Sequence, residues 1–304
     1  MYSNQEMSAF ENKILNMDCI DFLKQCPDKI FDLVLTDPPY FGIVRNDWDN
    51  QWKNIQEFQN WVETIGKELY RVLKDNGSFY WFGDDKTIAY CQIVLDKRLN
   101  LLNNIVWYKV GCRARKGARS VYKSYAPTTE RILFYDKSNV FCEYLQNEFN
   151  KAGVSNKEIA NLFPSKTGRL TGCVSNWLSG DNIITKEQYL KIREYLNNEY
   201  LKKDYEDLRR VWNNDPNAQD VLNFAFQSQN VIHPTQKPLD LISYLMQRSS
   251  NEDDLVLDCF SGSGTTAVAC HKLKRRFICI ERDREYFEAS VKRLEEAKKQ
   301  QMLF

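Results

Sequence analysis

Leu33-Val34-Leu35-Thr36-Asp37-Pro38-Pro39-Tyr40 is the stretch that decides how this chain is read. A short apolar run stops at a carboxylate, two prolines and an aromatic ring. Proline fixes φ and carries no N–H, so the backbone past Thr36 must leave a sheet stiffly. Asp37, the Pro38 carbonyl and the Tyr40 ring then project together from the carboxyl edge of a strand, where open α/β sheets bind ligands. Two acceptors and a ring face suit a planar substrate that bears an exocyclic amine. A strand followed by a proline turn is the plain alternative, and the rest of the chain weighs against it.

Working outward, residues 14–18 read as a short strand ending at Asp18, and Ile20–Gln25 as the start of a helix. Residues 41–54 are polar and Trp-rich, long enough for a lid. Apolar residues from Ile55 to Leu73 recur at helical spacing, ended by Asp75-Asn76-Gly77. Ser78–Phe82, Asn104–Lys109, Arg131–Tyr135, Leu255–Phe260 and Phe277–Glu281 read as further strands. Helices are expected over Asp84–Asp96, Thr265–Leu273 and Arg284–Lys299. Strands alternating with helices predict an α/β fold with a doubly wound, mostly parallel sheet.

The composition breaks at about Asn147–Arg210. Ser155-Asn-Lys-Glu158 is a capping box, Cys173–Leu178 a short helix closed by Gly180, and Thr185–Arg210 a long charged helical stretch. The expected division is therefore 1–145, a helical insertion over 146–212, and 213–304.

Composition sets the limits. The 304 residues are 43% hydrophobic and 27% charged, as in an ordinary globular protein. Met1–Phe10 has neither a basic start nor an apolar run, and no stretch approaches a membrane span, so a cytoplasmic location is expected. Nine cysteines, never as C-x-x-C, and two histidines point to scattered buried thiols, with no metal site expected. The net charge of +1 requires any nucleic-acid surface to be a segregated patch.

A second constellation is Asp258-Cys-Phe-Ser-Gly262-Ser-Gly264-Thr265-Thr266, a strand, a glycine-rich turn and a helix start. Glycines admit a ligand close to the backbone, and the helix start offers N–H groups to an anion. Glu281 ends the next strand, where a carboxylate commonly holds ribose hydroxyls. The pattern lacks the third glycine of a dinucleotide site and the lysine of a P-loop. A nucleoside ligand without a pyrophosphate fits it better.

In this order, Asp37–Tyr40, the insertion and Phe260–Gly264 resemble the amino-methylating DNA methyltransferases of the β order. His233-Pro-Thr-Gln-Lys-Pro238, Trp107-Tyr-Lys109 and Thr128-Thr-Glu130 look like segments of the same family. The resemblance implies S-adenosylmethionine as methyl donor and a seven-stranded sheet with one antiparallel strand. It implies that the insertion helps recognise the target and that residues 213–304 form the cofactor-binding half. Asp37, Pro38, Pro39 and Tyr40 would then be catalytic, holding the target amine and stacking its ring. Asp258, Phe260, Gly262, Gly264 and Thr265, with Asp37 at their edge, would line the cofactor's methionine end and Glu281 its ribose. Asp18 would sit near its adenine, and Gln236 or Lys237 near its carboxylate. His233 competes with a purely structural role and is not assigned to catalysis.

Lys109, Arg113, Arg115, Lys116, Arg119 and Lys123 fall in a loop without an acid, expected to contact DNA phosphates rather than simply face solvent. The insertion's Lys157–Phe163 and Val174–Leu178 could be the two helices of a helix-turn-helix, although their connection is long for that motif; plain helical packing is the equal alternative. The function expected is methylation of adenine N6 in double-stranded DNA. Cytosine N4, an RNA amine, a protein amine and a non-catalytic regulator are the competing readings. A cognate restriction endonuclease and either a monomer or a homodimer stay open.

Overall fold

A computed structural model describes residues 1–42, 51–112, 125, 127–137, 140–226, 232–233 and 235–301. Alternate residues of the strand Phe31–Thr36 (β2, with Lys13–Asn16 as β1) are buried in two different cores. Val34 joins one, Leu33 and Leu35 the other. A strand buried on both faces reads as a continuous apolar run, which is how 33–36 reads.

The remaining strands are Leu73–Gly83 (β3), Asn100–Val110 (β4), Thr129–Asp136 (β5), Val221–Ala225 (β6), Leu255–Asp258 (β7) and Arg276–Glu281 (β8). They form one sheet in the order β1-β8-β7-β2-β3-β5-β4-β6. All neighbouring pairs are parallel except those made by β5, which is antiparallel to β3 and β4. The sheet thus has eight strands, one more than expected. The addition, β6, lies at the edge with only Leu222 buried, so it lacks the apolar run that reveals the central strands.

Helices Cys19–Gln25, Ile55–Val72 and Ile88–Leu95 cover one face, burying Phe22, Val62, Ile65 and Val94 against Val34, Phe79 and Trp81. Helices Leu239–Ser249, Thr265–Lys272 and Arg284–Gln301 cover the other, with Leu241, Leu245, Ala269 and Leu294 against Leu35, Tyr80 and Phe277. None of the described helices is long and apolar enough to cross a membrane. All nine cysteines are free, six of them buried.

The chain divides into two compact units, residues 1–136 with 211–304, and residues 137–210. The second begins earlier than the 146 expected. Helix Val140–Ala152 belongs to it because Leu145 and Phe149 are buried in its core with Ile159, Trp177, Tyr189 and Ile192. The expected long helix over 185–210 is broken: Lys186–Tyr195 ends, and Asn197, Asn198 and Leu201 have positive φ before the short helix Tyr205–Leu208. Asparagine enters the left-handed region at little cost, and the turn lets the Leu201 N–H donate to Glu148 Oε2 at 2.9 Å. Arg113, Arg115, Lys116, Arg119 and Lys123, and residues 43–50 of the expected lid, lie outside the described residues.

Candidate active site

β2 and β7 lie side by side, yet the sheet continues from them in opposite directions, through β3 and through β8. The crevice outside the carboxyl ends of two such strands is where an open α/β sheet binds its ligand. One hydroxyl joins the two ends. Thr36 Oγ1 donates to Asp258 Oδ1 at 3.1 Å and accepts the Cys259 N–H at 3.2 Å. Register does the rest, since Leu33 stands opposite Val256 and Val34 opposite Leu257.

A cavity of about 520 Å³ opens there, within the usual range for small-molecule sites. Asp18, Asp37, Pro38, Pro39, Tyr40, Gln236, Lys237, Asp258, Phe260, Gly262, Thr265 and Glu281 all line it. Gly264 does not. It turns the chain with φ +74°, and a Cβ there would stand 3.0 Å from Ser290 Cβ in the last helix. This glycine therefore serves a turn and a close helix approach rather than direct contact.

Glu281 and Asp258 are held by neutral donors. Glu281 Oε2 accepts the Gly262 N–H and its Oε1 the Asp283 N–H, each at 2.8 Å. Burial raises its carboxyl against those bonds. Asp258 is pushed up to about 6 by burial, opposed by Thr266, Thr36 and the Phe260 N–H. Asp18 caps helix Cys19–Gln25, accepting the Ile20 N–H at 2.8 Å. Gln236 Oε1 accepts the Ile232 N–H at 3.2 Å.

Asp37 has different company. Tyr40 donates to its Oδ1 at 2.7 Å, and the Lys237 ammonium meets its Oδ2 at 2.5 Å. Lys237 also stands 3.3 Å from Glu130 Oε2, while Lys109 holds Glu130 Oε1 at 2.6 Å. Burial raises the Asp37 carboxyl and Lys237 opposes it; Glu130 sits below the usual range because both lysines outweigh its burial. Two expected roles change. Lys109 is not a phosphate contact of a basic loop: its ammonium is paired inward and lies 5.5 Å from the Trp107 and Phe226 ring centres. Lys237 engages the β2 carboxylate rather than standing free for a ligand carboxylate.

His233 accepts the Thr235 N–H on Nδ1 at 3.3 Å, and its ring centre lies 4.3 Å from that of Tyr286. Burial and Lys237 lower it to about 4, so it is neutral at pH 7. Thr36, Glu130 and Arg293 contact residues of the site, and sequence reasoning gives none of them a role. Arg293 donates to Ser263 O at 2.9 Å and Thr265 Oγ1 at 3.0 Å, fastening the glycine-rich turn to the terminal helix. Only the Thr-Thr-Glu130 segment offered a signal beforehand.

Comparison with known proteins identifies a family. The DNA methylase family matches residues 31–292. The type II methyltransferase M1.MboII of Moraxella bovis is 31% identical over 90% of this chain and 93% of its own. M.HinfI of Haemophilus influenzae is 27% identical over 97% of this chain and 71% of its own. Among solved structures, the M1.HpyAVI–SAM complex superposes with a TM-score of 0.56 at 22% identity, covering 93% of this chain and 99% of that one. The cytosine-N4-specific PvuII DNA methyltransferase gives 0.57 at 16% identity, covering 94% and 90%. With a family match that spans both the β2 and the β7 ends of the crevice, the chain belongs to the DNA methylase family.

Proposed function

We propose that this DNA methyltransferase transfers a methyl group from S-adenosylmethionine to the N6 amine of adenine in double-stranded DNA. The observation that carries the reading is the Asp37 carboxylate beside a cavity whose far wall is a glycine-rich turn and a ribose-type carboxylate. The donor set fits the cofactor. Glu281 keeps lone pairs for two ribose hydroxyls, Asp258 offers charge to an amino group, and Gly262 takes the φ of +48° that the turn requires. When bound, S-adenosylmethionine supplies an electrophilic methyl group on a sulfonium.

The protein's own part is positioning and electrostatics. Asp37 and the Pro38 carbonyl accept the two N–H bonds of the amine and direct its lone pair at the methyl carbon. A carboxylate cannot deprotonate a neutral aromatic amine beforehand, because the gap in pKa is far too wide. Once the N–C bond has formed, the nitrogen is strongly acidic and its proton passes to Asp37. A base inside a duplex cannot reach this carboxylate, so the target must be flipped out, with the Tyr40 ring as its stacking face.

A carboxylate at position 37 favours adenine over cytosine N4, for which the resemblance leads one to expect serine. The helical unit occupies the place of a target-recognition segment, and relatives named as type II methyltransferases favour a cognate restriction endonuclease as partner. The test is direct. Duplex DNA incubated with the protein and methyl-labelled cofactor is digested to nucleosides. Label in N6-methyl-2′-deoxyadenosine supports the reading, and label in N4-methyl-2′-deoxycytidine overturns it.

A further inference from the structure

The Lys237 ammonium sits on the carboxylate that the proposed reaction assigns to the target amine. It places N–H bonds on Asp37 Oδ2 at 2.5 Å and near the Tyr40 hydroxyl at 3.3 Å, with 4% of its side chain exposed. Both Asp37 oxygens are thereby engaged, Oδ1 by Tyr40 and Oδ2 by Lys237. An amine approaching Oδ2 must share that oxygen with a cation unless the ammonium yields. Glu130 Oε2 is a charged acceptor already 3.3 Å away, so a swing of the lysine stem by about 1 Å completes that pair as it leaves Oδ2. Lys109 on the other Glu130 oxygen keeps that carboxylate fixed in place.

Building on the proposed reaction, the geometry points to Lys237 as a positioning residue that holds Asp37 in its charged, acceptor form and hands Oδ2 to the target amine by moving onto Glu130. Charge explains why such a device is needed. A buried carboxylate without a counter-ion takes a proton and becomes a donor, unable to accept an N–H bond. Two carboxylates, Asp37 and Glu130, are balanced here by two ammonium groups, Lys109 and Lys237. Were Lys237 to stay on Asp37, its charge would oppose the positive charge that develops on the amine nitrogen. Glu130 draws the charge aside without letting it leave the site.

The segment is anchored for small movements only. The Lys237 carbonyl accepts Thr265 Oγ1 at 3.3 Å, so its backbone is tied to the glycine-rich turn while the four-carbon stem can swing. Other titratable groups face the same region. Asp258 stands at the end of β7, Asp84 after β3, His233 ahead of Lys237, and the Tyr40 phenol is held un-ionised by burial. Among these, the two carboxylates raise Asp37's need for a cation.

The experiment compares the full-length protein with Lys237→Met, Lys237→Arg and Glu130→Gln, measuring kcat against pH on duplex DNA and cofactor affinity by calorimetry. Lys237→Met should move the acid limb of kcat upward by about one pH unit or more, so that its deficit narrows at high pH. Cofactor affinity should stay within about threefold, or ~0.7 kcal/mol. Lys237→Arg should return the limb towards wild type. Glu130→Gln should move the limb the other way, because it removes the like charge beside Asp37, and should still lower kcat by slowing the handover. Loss of cofactor affinity in Lys237→Met with an unmoved limb overturns the inference and makes Lys237 a cofactor ligand. If Lys237→Met does not fold, identical limbs in wild type and Glu130→Gln overturn it equally. Wild-type protein that methylates no DNA rejects the proposed function itself, and the handover with it.

Discussion

The two ends of the cavity hold carboxylates by opposite means. At the end of β8, Glu281 is gripped by main-chain N–H groups of Gly262 and Asp283, donors that cannot turn away without unmaking the turn. At the end of β2, Asp37 is gripped by the tips of two side chains, Lys237 and Tyr40, that rotate about single bonds. A fixed neutral cradle suits a ligand recognised in one pose. A mobile charged one suits a group that must change partners during a reaction. On the proposed function, the difference separates binding from chemistry within a single crevice.

Substitutions can break that separation, and the largest effect should come from Asp37→Ala. Methyl transfer should fall by about a thousandfold or more, since the change removes both the acceptor of the amine and the acceptor of its proton. Calorimetric affinity for S-adenosylmethionine should stay near wild type. Substantial residual transfer of label would merge the two ends into one.

Glu281→Ala is the converse case. Loss of charge-assisted bonds to ribose should weaken cofactor affinity by roughly 1.5–3 kcal/mol while saturating cofactor restores most of kcat. A rate that stays low at saturation would give Glu281 a part in the chemistry. Gly264→Ala tests the cradle's shape. A φ of +74° and a Cβ at 3.0 Å from Ser290 should lower stability by about 1–3 kcal/mol and weaken cofactor binding together. Denaturant unfolding with and without cofactor would show it.

Acid offers a finer probe. Asp258, raised to about 6 by burial, is charged above that pH and neutral below it. Its attraction for a cofactor amino group is therefore present at pH 8 and should fade as pH falls through 6, visible as a rising Kd. A Kd flat from pH 8 to 5 would place that amino group elsewhere. The smallest effect is expected from Thr36→Val, which removes the hydroxyl shared by the two strand ends. Stability should drop by about 1–2 kcal/mol as the Cys259 N–H loses its acceptor, with kcat nearly kept.

Much of this site is legible because its parts are local. Proline after Asp37 fixes where β2 must end, and the glycines at 262 and 264 announce a turn before a helix. Their chemistry is written in consecutive residues. Glu130 is different: it reads as an ordinary acid at the start of a strand, and only the pairing of β5 with β3 and β4 brings it to Lys237. Thr36 and Arg293 are similar, since each matters through a partner far away along the chain. Lys109 misleads for the same reason, because basic neighbours in sequence suggest a surface patch while the fold turns it inward. The edge strand β6 escapes notice because one buried leucine in five residues leaves no pattern.

The pairing of β2 with β7 also has a consequence for how the chain is made. Among the described residues, β1 pairs with β8 alone and β2 pairs on one edge with β7, strands more than 200 residues later. Contacts of such long range form slowly, since a large loop must close before they reward it. While synthesis is under way, β1 has no ladder at all and one edge of β2 stands open. The crevice between Asp37 and Asp258 comes into being only when β7 has emerged, more than 200 residues after β2. Open strand edges of this kind invite pairing with other chains during that interval.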